Sequence, residues 1–117
     1  MKIEIKRAYE TASVTDGYRV LIDRLWPRGV KKEVLSLDEW CKDVAPSTEL
    51  RKWFNHEADK ADEFHRRYRE ELAANRESEN LLERVQASGK SVLTLIYSAK
   101  TPELSQAPVL KDYLEKL

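Results

Sequence analysis

Two short stretches carry most of the groups able to do chemistry. Asp23-Arg24-Leu25-Trp26-Pro27-Arg28-Gly29 follows directly on the apolar run Val20-Leu21-Ile22, and Ser98-Ala99-Lys100 follows Val92-Leu93-Thr94-Leu95-Ile96-Tyr97. Arg24, Arg28, Lys100 and the Ser98 hydroxyl form a set suited to an oxyanion, because arginine forks grip phosphate or carboxylate bidentately and lysine adds a point charge. Trp26 offers a plane against which a base or other flat group stacks. Asp23 has a competing use: beside Arg24 and Arg28 it reads as an ion-pair latch that holds the loop. Pro27 and Gly29 set the loop's shape, since proline fixes φ and glycine permits positive φ.

His56 and His65 are the only histidines, so any imidazole base must be one of them. His56 closes "ELRKWFN" at a helix end where the dipole favours a cation. With Arg51 from the same helix it forms an outer tier of the candidate ligand set. His65 lies in "FHRRYRE", read as a solvated helix face. Arg66, Arg67, Arg69 and Tyr68 there invite a nucleic-acid reading, but Glu63, Glu70 and Glu71 interleave with them and cancel a phosphate-tracking stripe. Cys41, the single cysteine, has no partner for an internal disulfide and reads as a buried, inert thiol. No Cys/His cluster has zinc spacing, and no G-x-S-x-G, G-x-x-x-x-G-K or G-x-G-x-x-G motif is present. The residues therefore assign no metal, no cofactor and no nucleophile.

The elements that must position these groups read as α/β. "KIEIKRA" (2–8) alternates like a half-buried strand, and "YRVLIDRL" (18–25) is contiguous and apolar, like a strand covered on both faces. Thr15, Asp16 and Gly17 make the turn between them. Ser36 to Glu39, "SLDE", matches a capping box and predicts a short helix through Trp40 and Val44, stopped by Pro46. Ser47 caps a second helix holding Leu50, Trp53 and Phe54. Ala61, Phe64, Tyr68 and Leu72 form the stripe of a long helix over 57–75. Leu81, Leu82 and Val85 mark another, closed by Gly89. "SVLTLIY" (91–97) is a second buried strand, and Pro108, Leu110, Tyr113, Leu114 and Leu117 belong to a last helix. Strands 18–25 and 91–97 are separated by about 65 residues of helical pattern, which favours parallel pairing through a crossover. The expected architecture is a small layered α/β domain over 1–117, with a mainly parallel sheet of three or slightly more strands and about five helices. If the strands are parallel, Arg24, Arg28, Ser98 and Lys100 share one sheet edge, where ligands bind in open α/β folds.

Of the 117 residues 36% are charged, with Lys+Arg and Asp+Glu at 21 each, so the molecule as a whole exerts no pull on nucleic acid or anionic membrane. The apolar runs fall far short of the ~20 residues needed to cross a bilayer, and the amino terminus lacks a signal-like segment. A cytoplasmic protein is expected.

"DGYRVLIDRLWPRG", "LSLDEW", "APSTELRKWF" and "LTLIYSAK", in this order and at these intervals, resemble the YeaO-like family of small bacterial proteins, a family of unknown function. The resemblance spans nearly the whole chain and implies a compact α/β fold without implying a reaction. It carries over Asp23, Arg24, Trp26, Pro27, Arg28 and Gly29, then Ser47, Glu49, Leu50 and Arg51, then Ser98 and Lys100. Relatives commonly show Asn-His-Ala after the last motif, where this chain has Ser105, Gln106 and Ala107. An acid or base resting on that histidine is therefore lost here.

The expectation for function is a small anionic metabolite or nucleotide held at the strand ends by Arg24, Arg28, Ser98 and Lys100, with Trp26 as a wall and Arg51 and His56 behind. The alternative is a non-catalytic interaction protein, with another protein or a nucleic acid as partner, whose same arginines are structural. Arginines left unpaired around a cleft favour the first; arginines consumed by Asp23 or nearby glutamates favour the second.

Overall fold

A computed structural model describes residues Met1–Leu117. Four strands, β1 (Lys2–Arg7), β2 (Tyr18–Leu21), β3 (Glu39–Trp40) and β4 (Val92–Tyr97), form one sheet in the order β1-β4-β2-β3, and every pairing is parallel. Five helices accompany it: α1 (Lys32–Leu35), α2 (Thr48–Phe54), α3 (Ala61–Ala73), α4 (Glu77–Ala87) and α5 (Ala107–Glu115). The register sets Ile5 and Val20 on either side of Leu95, and Leu21 beside Ile96. Because side chains alternate across a sheet, this divides the apolar residues between two faces.

Ile3, Val20, Ile22, Leu93, Leu95 and Tyr97 pack on one face against Leu50, Phe54, Phe64, Tyr68, Leu81, Val85 and Leu110 of the helices. Leu21 and Ile96 turn to the other face, where Ala8 and Leu35 bury them beside Trp26, Val30, Leu37 and Trp40. Val20, Leu21 and Ile22 are thus covered on both sides, as their contiguous apolar run predicts. Within the main core Phe64 stacks on Phe54 at 4.1 Å and on Tyr68 at 6.2 Å. Burying each such ring contributes about 1.5–3 kcal/mol.

The "SLDE" stretch departs from its cap-like pattern. Ser36, at φ 50 and ψ 56, ends α1 rather than starting a helix. The Asp38 carboxylate instead accepts from the Arg19 N–H at 2.8 Å, and Glu39 and Trp40 extend the sheet beside Val20 and Leu21 as β3. A two-residue strand has no periodicity to read, so pairing with an open sheet edge won over a local cap. A 3-10 turn over Lys42–Val44 then leads to Pro46.

Two local devices hold the site's scaffold. Ser47 caps α2 through Leu50 N–H, and its own N–H and hydroxyl donate to the two oxygens of Glu71, tying α2 to α3. At the opposite end of the sheet, Ser13 and Asp16 form a capping box around a 3-10 turn, and Asp16 pairs with buried Arg19 and with Lys6. Gly17 follows at φ 66, so close to β4 that a Cβ there would lie 2.3 Å from the Val92 carbonyl oxygen. Only glycine fits.

Candidate functional site

After β2 the chain turns toward β3, and after β4 it turns toward α5, which packs on β1 and β4. Segments that diverge from two adjacent parallel strands leave a crevice beyond their carboxyl ends. Here it is a cleft of about 310 Å³, half of its lining residues apolar.

Asp23 organises it. Its Oδ2 accepts from the Ser98 N–H at 2.9 Å and from the Ser98 hydroxyl at 2.6 Å. Its Oδ1 accepts from Gln106 Nε2 at 2.8 Å, and the same amide nitrogen donates to the Ile22 carbonyl at 2.9 Å. The Trp40 indole donates to the Asp23 carbonyl at 2.7 Å. The expected latch between Asp23 and the arginines is therefore corrected. Parallel pairing brings Asp23 alongside Ser98, whose donors and those of Gln106 occupy both carboxylate oxygens.

The arginines are consequently left to the cleft. Arg24 is steered by its Nε and Nη2, each donating to the Pro46 carbonyl at 3.3 Å. Arg28, on the loop, and Arg51, on α2, are exposed at the cleft and form no ion pair. Elsewhere Arg19, Arg66, Arg67, Arg69, Arg76 and Arg84 each have a carboxylate partner. The arginines without one are Arg24, Arg28, Arg51 and Arg7, and Arg7, at the end of β1, donates to the Ala99 and Ser98 carbonyls at this same end of the sheet.

Trp26 is half-buried and lines the cleft with its ring held in place. Its indole N–H donates to the Val30 carbonyl at 2.7 Å, and it meets Trp40 edge-on at 5.4 Å. His56 reaches the lining from a left-handed backbone (φ 55) directly after left-handed Asn55 (φ 47). Each such non-glycine residue costs on the order of 1–3 kcal/mol, and strain of this kind clusters at ligand clamps. Ser98 lines the cleft with its proton directed at Asp23. Lys100 lies exposed at the same end of the sheet, but outside the cleft lining.

A broader depression of about 870 Å³ lies at the amino ends of the strands. Its charged groups already have partners, Arg19 with Asp16 and Lys90 with Asp38, so it offers no free cation to an incoming anion.

A family model described as "Inactive DUF488-N3 subclade" matches residues 2–117. The chain belongs to this subclade. It is 47% identical over 117 residues, the whole of both chains, to Uncharacterized protein YeaO of Escherichia coli (strain K12). It is 42% identical over 113 residues, 97% of this chain and 93% of the relative, to Uncharacterized protein Mb3100c of Mycobacterium bovis and to Uncharacterized protein Rv3073c of Mycobacterium tuberculosis. No solved structure matches it. The resemblance to YeaO-like proteins is thus one of membership.

In this DUF488-N3 chain the lining also includes Tyr9, Phe54, Phe64, Leu104 and Gln106, which motif reasoning missed. Tyr9 follows β1, whose direction the sequence left open; its hydroxyl donates to the Arg28 carbonyl at 3.1 Å. Gln106 acts as a strut between β2 and α5, donating to the Ile22 carbonyl and to Asp23. Cys41, expected to be a buried thiol, is 4% exposed. Burial, with Glu39 nearby, pushes its thiol up to about 11, so it stays protonated and inert. His65 is not on a solvated face: its ring is half-buried beside Phe64, with Nε2 buried and unpartnered. Burial, then Arg69, lowers its pKa against the pull of Asp62.

Proposed function

We propose that this DUF488-N3 protein is a cytoplasmic binding protein for a small anionic, phosphate- or carboxylate-bearing ligand, held in the cleft beyond β2 and β4 and not chemically transformed. One observation carries the reading: Arg24, Arg28 and Arg51 line one cleft and lack carboxylate partners, while the only carboxylate in the lining, Asp23, is hydrogen-bonded on both oxygens by Ser98 and Gln106. Guanidinium groups left without counter-ions around an apolar-walled crevice favour an oxyanion supplied from outside.

Arg28 and Arg51 grip the anion, Arg24 is preorganised through Pro46, Trp26 forms a wall, and His56 supplies a further polar group at the mouth. Ser98 and Asp23 act chiefly by fixing the two strand ends, and Lys100 adds positive potential outside the lining. The absence of a reaction rests on the subclade's description as inactive and on the state of the nearby groups. Cys41 is buried and protonated, and the Ser98 hydroxyl donates to a carboxylate instead of to an imidazole. The alternative, a non-catalytic interaction protein with a protein or nucleic-acid partner and structural arginines, draws on Arg24, which is tied to the Pro46 carbonyl; against it, none of the three arginines is paired with an acidic neighbour.

The test is a thermal-shift screen with phosphate- and carboxylate-bearing metabolites, since a ligand selective for the native state raises its apparent stability by mass action. Stabilisation present in the wild type and absent in Arg28→Ala supports the reading; a flat response across the panel contradicts it.

A further inference from the structure

We infer that the occupant of this cleft is a phosphate monoester of a compact, ring-bearing compound; the inference rests on the anion-binding reading and narrows it. The first argument is charge. The lining carries three guanidinium groups, Arg24, Arg28 and Arg51, against one carboxylate, Asp23. Asp23 already receives hydrogen bonds on both oxygens, so it neither consumes an arginine nor needs one. The surplus of positive charge matches a phosphate monoester, which carries about −1.5 to −2 near neutral pH on three acceptor oxygens. A carboxylate brings one charge and two oxygens and leaves a guanidinium unmet.

The second argument is shape. Half of the lining residues are apolar, among them Leu25, Trp26, Phe54 and Leu104, so a bare inorganic anion would leave the apolar half wet. The Trp26 ring is held by the Val30 carbonyl and by Trp40, ready to receive a flat group without first losing side-chain freedom. Leu25, between Arg24 and Trp26 in sequence, is 60% exposed in the same lining, an apolar side chain that a ligand's ring would cover. At about 310 Å³ the cleft holds a ring and one phosphate and is too small for a dinucleotide. Nucleoside monophosphates and aryl phosphates share this chemistry.

The experiment is calorimetric titration at fixed ionic strength with phenyl phosphate, AMP, inorganic phosphate and benzoate, on the wild type, Arg28→Ala and Leu25→Ser. Leu25→Ser removes exposed apolar surface and leaves the core untouched. The expected result is that phenyl phosphate or AMP binds at least about tenfold tighter than inorganic phosphate or benzoate, the effect of one added charge-assisted hydrogen bond or a buried ring. Arg28→Ala should abolish that binding. Leu25→Ser should weaken the ester and leave inorganic phosphate unchanged. AMP ahead of phenyl phosphate assigns the ligand to nucleotides, and the reverse order to aryl phosphates; either supports the inference. Inorganic phosphate binding as tightly as the esters, or benzoate matching phenyl phosphate, overturns the inference while the anion-binding reading stands. No binding by any probe overturns both.

Discussion

Asp23 and Ser98, 75 residues apart in sequence, are joined twice: one carboxylate oxygen accepts both the backbone N–H at 2.9 Å and the hydroxyl at 2.6 Å. With Gln106 on the other oxygen, this clasp fastens the loop leaving β2 to the loop leaving β4 and to the start of α5. It makes one rigid rim from three segments, and it relieves Arg24 and Arg28 of any duty to Asp23.

Asp23→Ala should therefore damage both fold and site. Loss of three hydrogen bonds to a part-buried carboxylate should cost roughly 2–4 kcal/mol in urea unfolding. Asp23→Asn should restore little, because its amide nitrogen faces another donor, from Ser98 or from Gln106. A destabilisation below about 0.5 kcal/mol in Asp23→Ala would mean the clasp is not structural.

Arg28→Ala and Arg51→Ala remove exposed, unpaired cations and should change unfolding free energy by no more than about 0.5 kcal/mol. Stability that holds while anion response vanishes would separate a binding role from a scaffolding one. A large loss of stability would assign these arginines to the fold instead.

The folded-state titration of Asp16 makes a prediction at low pH. Burial pulls its pKa up, but hydrogen bonds from Ser13, Lys6 and Arg19 outweigh burial and hold it below the ordinary 3.8. A depressed folded pKa contributes stability that is present above the unfolded value and lost as pH falls through the folded one. Unfolding free energy should thus drop progressively below about pH 4. Asp16→Asn, which leaves Arg19 buried without its counter-charge, should cost about 3 kcal/mol at neutral pH and flatten that acid slope. An unchanged slope in the variant would remove Asp16 from the explanation.

His65 predicts a stabilising substitution. Its Nε2 is buried without a partner, and burial lowers its pKa below 6.5. The folded state therefore disfavours the imidazolium and loses stability as pH falls below 6.5. His65→Leu should gain about 1 kcal/mol at pH 7 and more at pH 5, measured by chemical denaturation. A destabilised variant would show that the ring's packing outweighs its unmet nitrogen.

Much of this was legible in the residues, for identifiable reasons. Contiguous Val20-Leu21-Ile22 and the run 92–97 announced strands covered on both faces, and the Phe64, Tyr68, Leu72 stripe announced α3. Their parallel order put Arg24, Arg28, Ser98 and Lys100 at one sheet edge; the first three line the cleft there and Lys100 lies outside it. What escaped was set by tertiary competition. "SLDE" satisfies a local capping pattern, yet Glu39 and Trp40 pair with Val20 and Leu21 as an edge strand. Asp23 sits next to arginines in sequence but beside Ser98 just beyond the ends of two paired strands, and nearness across those strands prevailed. Tyr9 and Gln106 carry no motif; only the register brings them to the cleft.

Titration of wild type and Arg28→Ala with phosphate-bearing metabolites, at low and at physiological salt, tests the central claim most directly. Saturable binding by the wild type, weakened by salt and lost in Arg28→Ala at unchanged thermal stability, is the predicted result. Identical responses from the two proteins, or none from either, would contradict it.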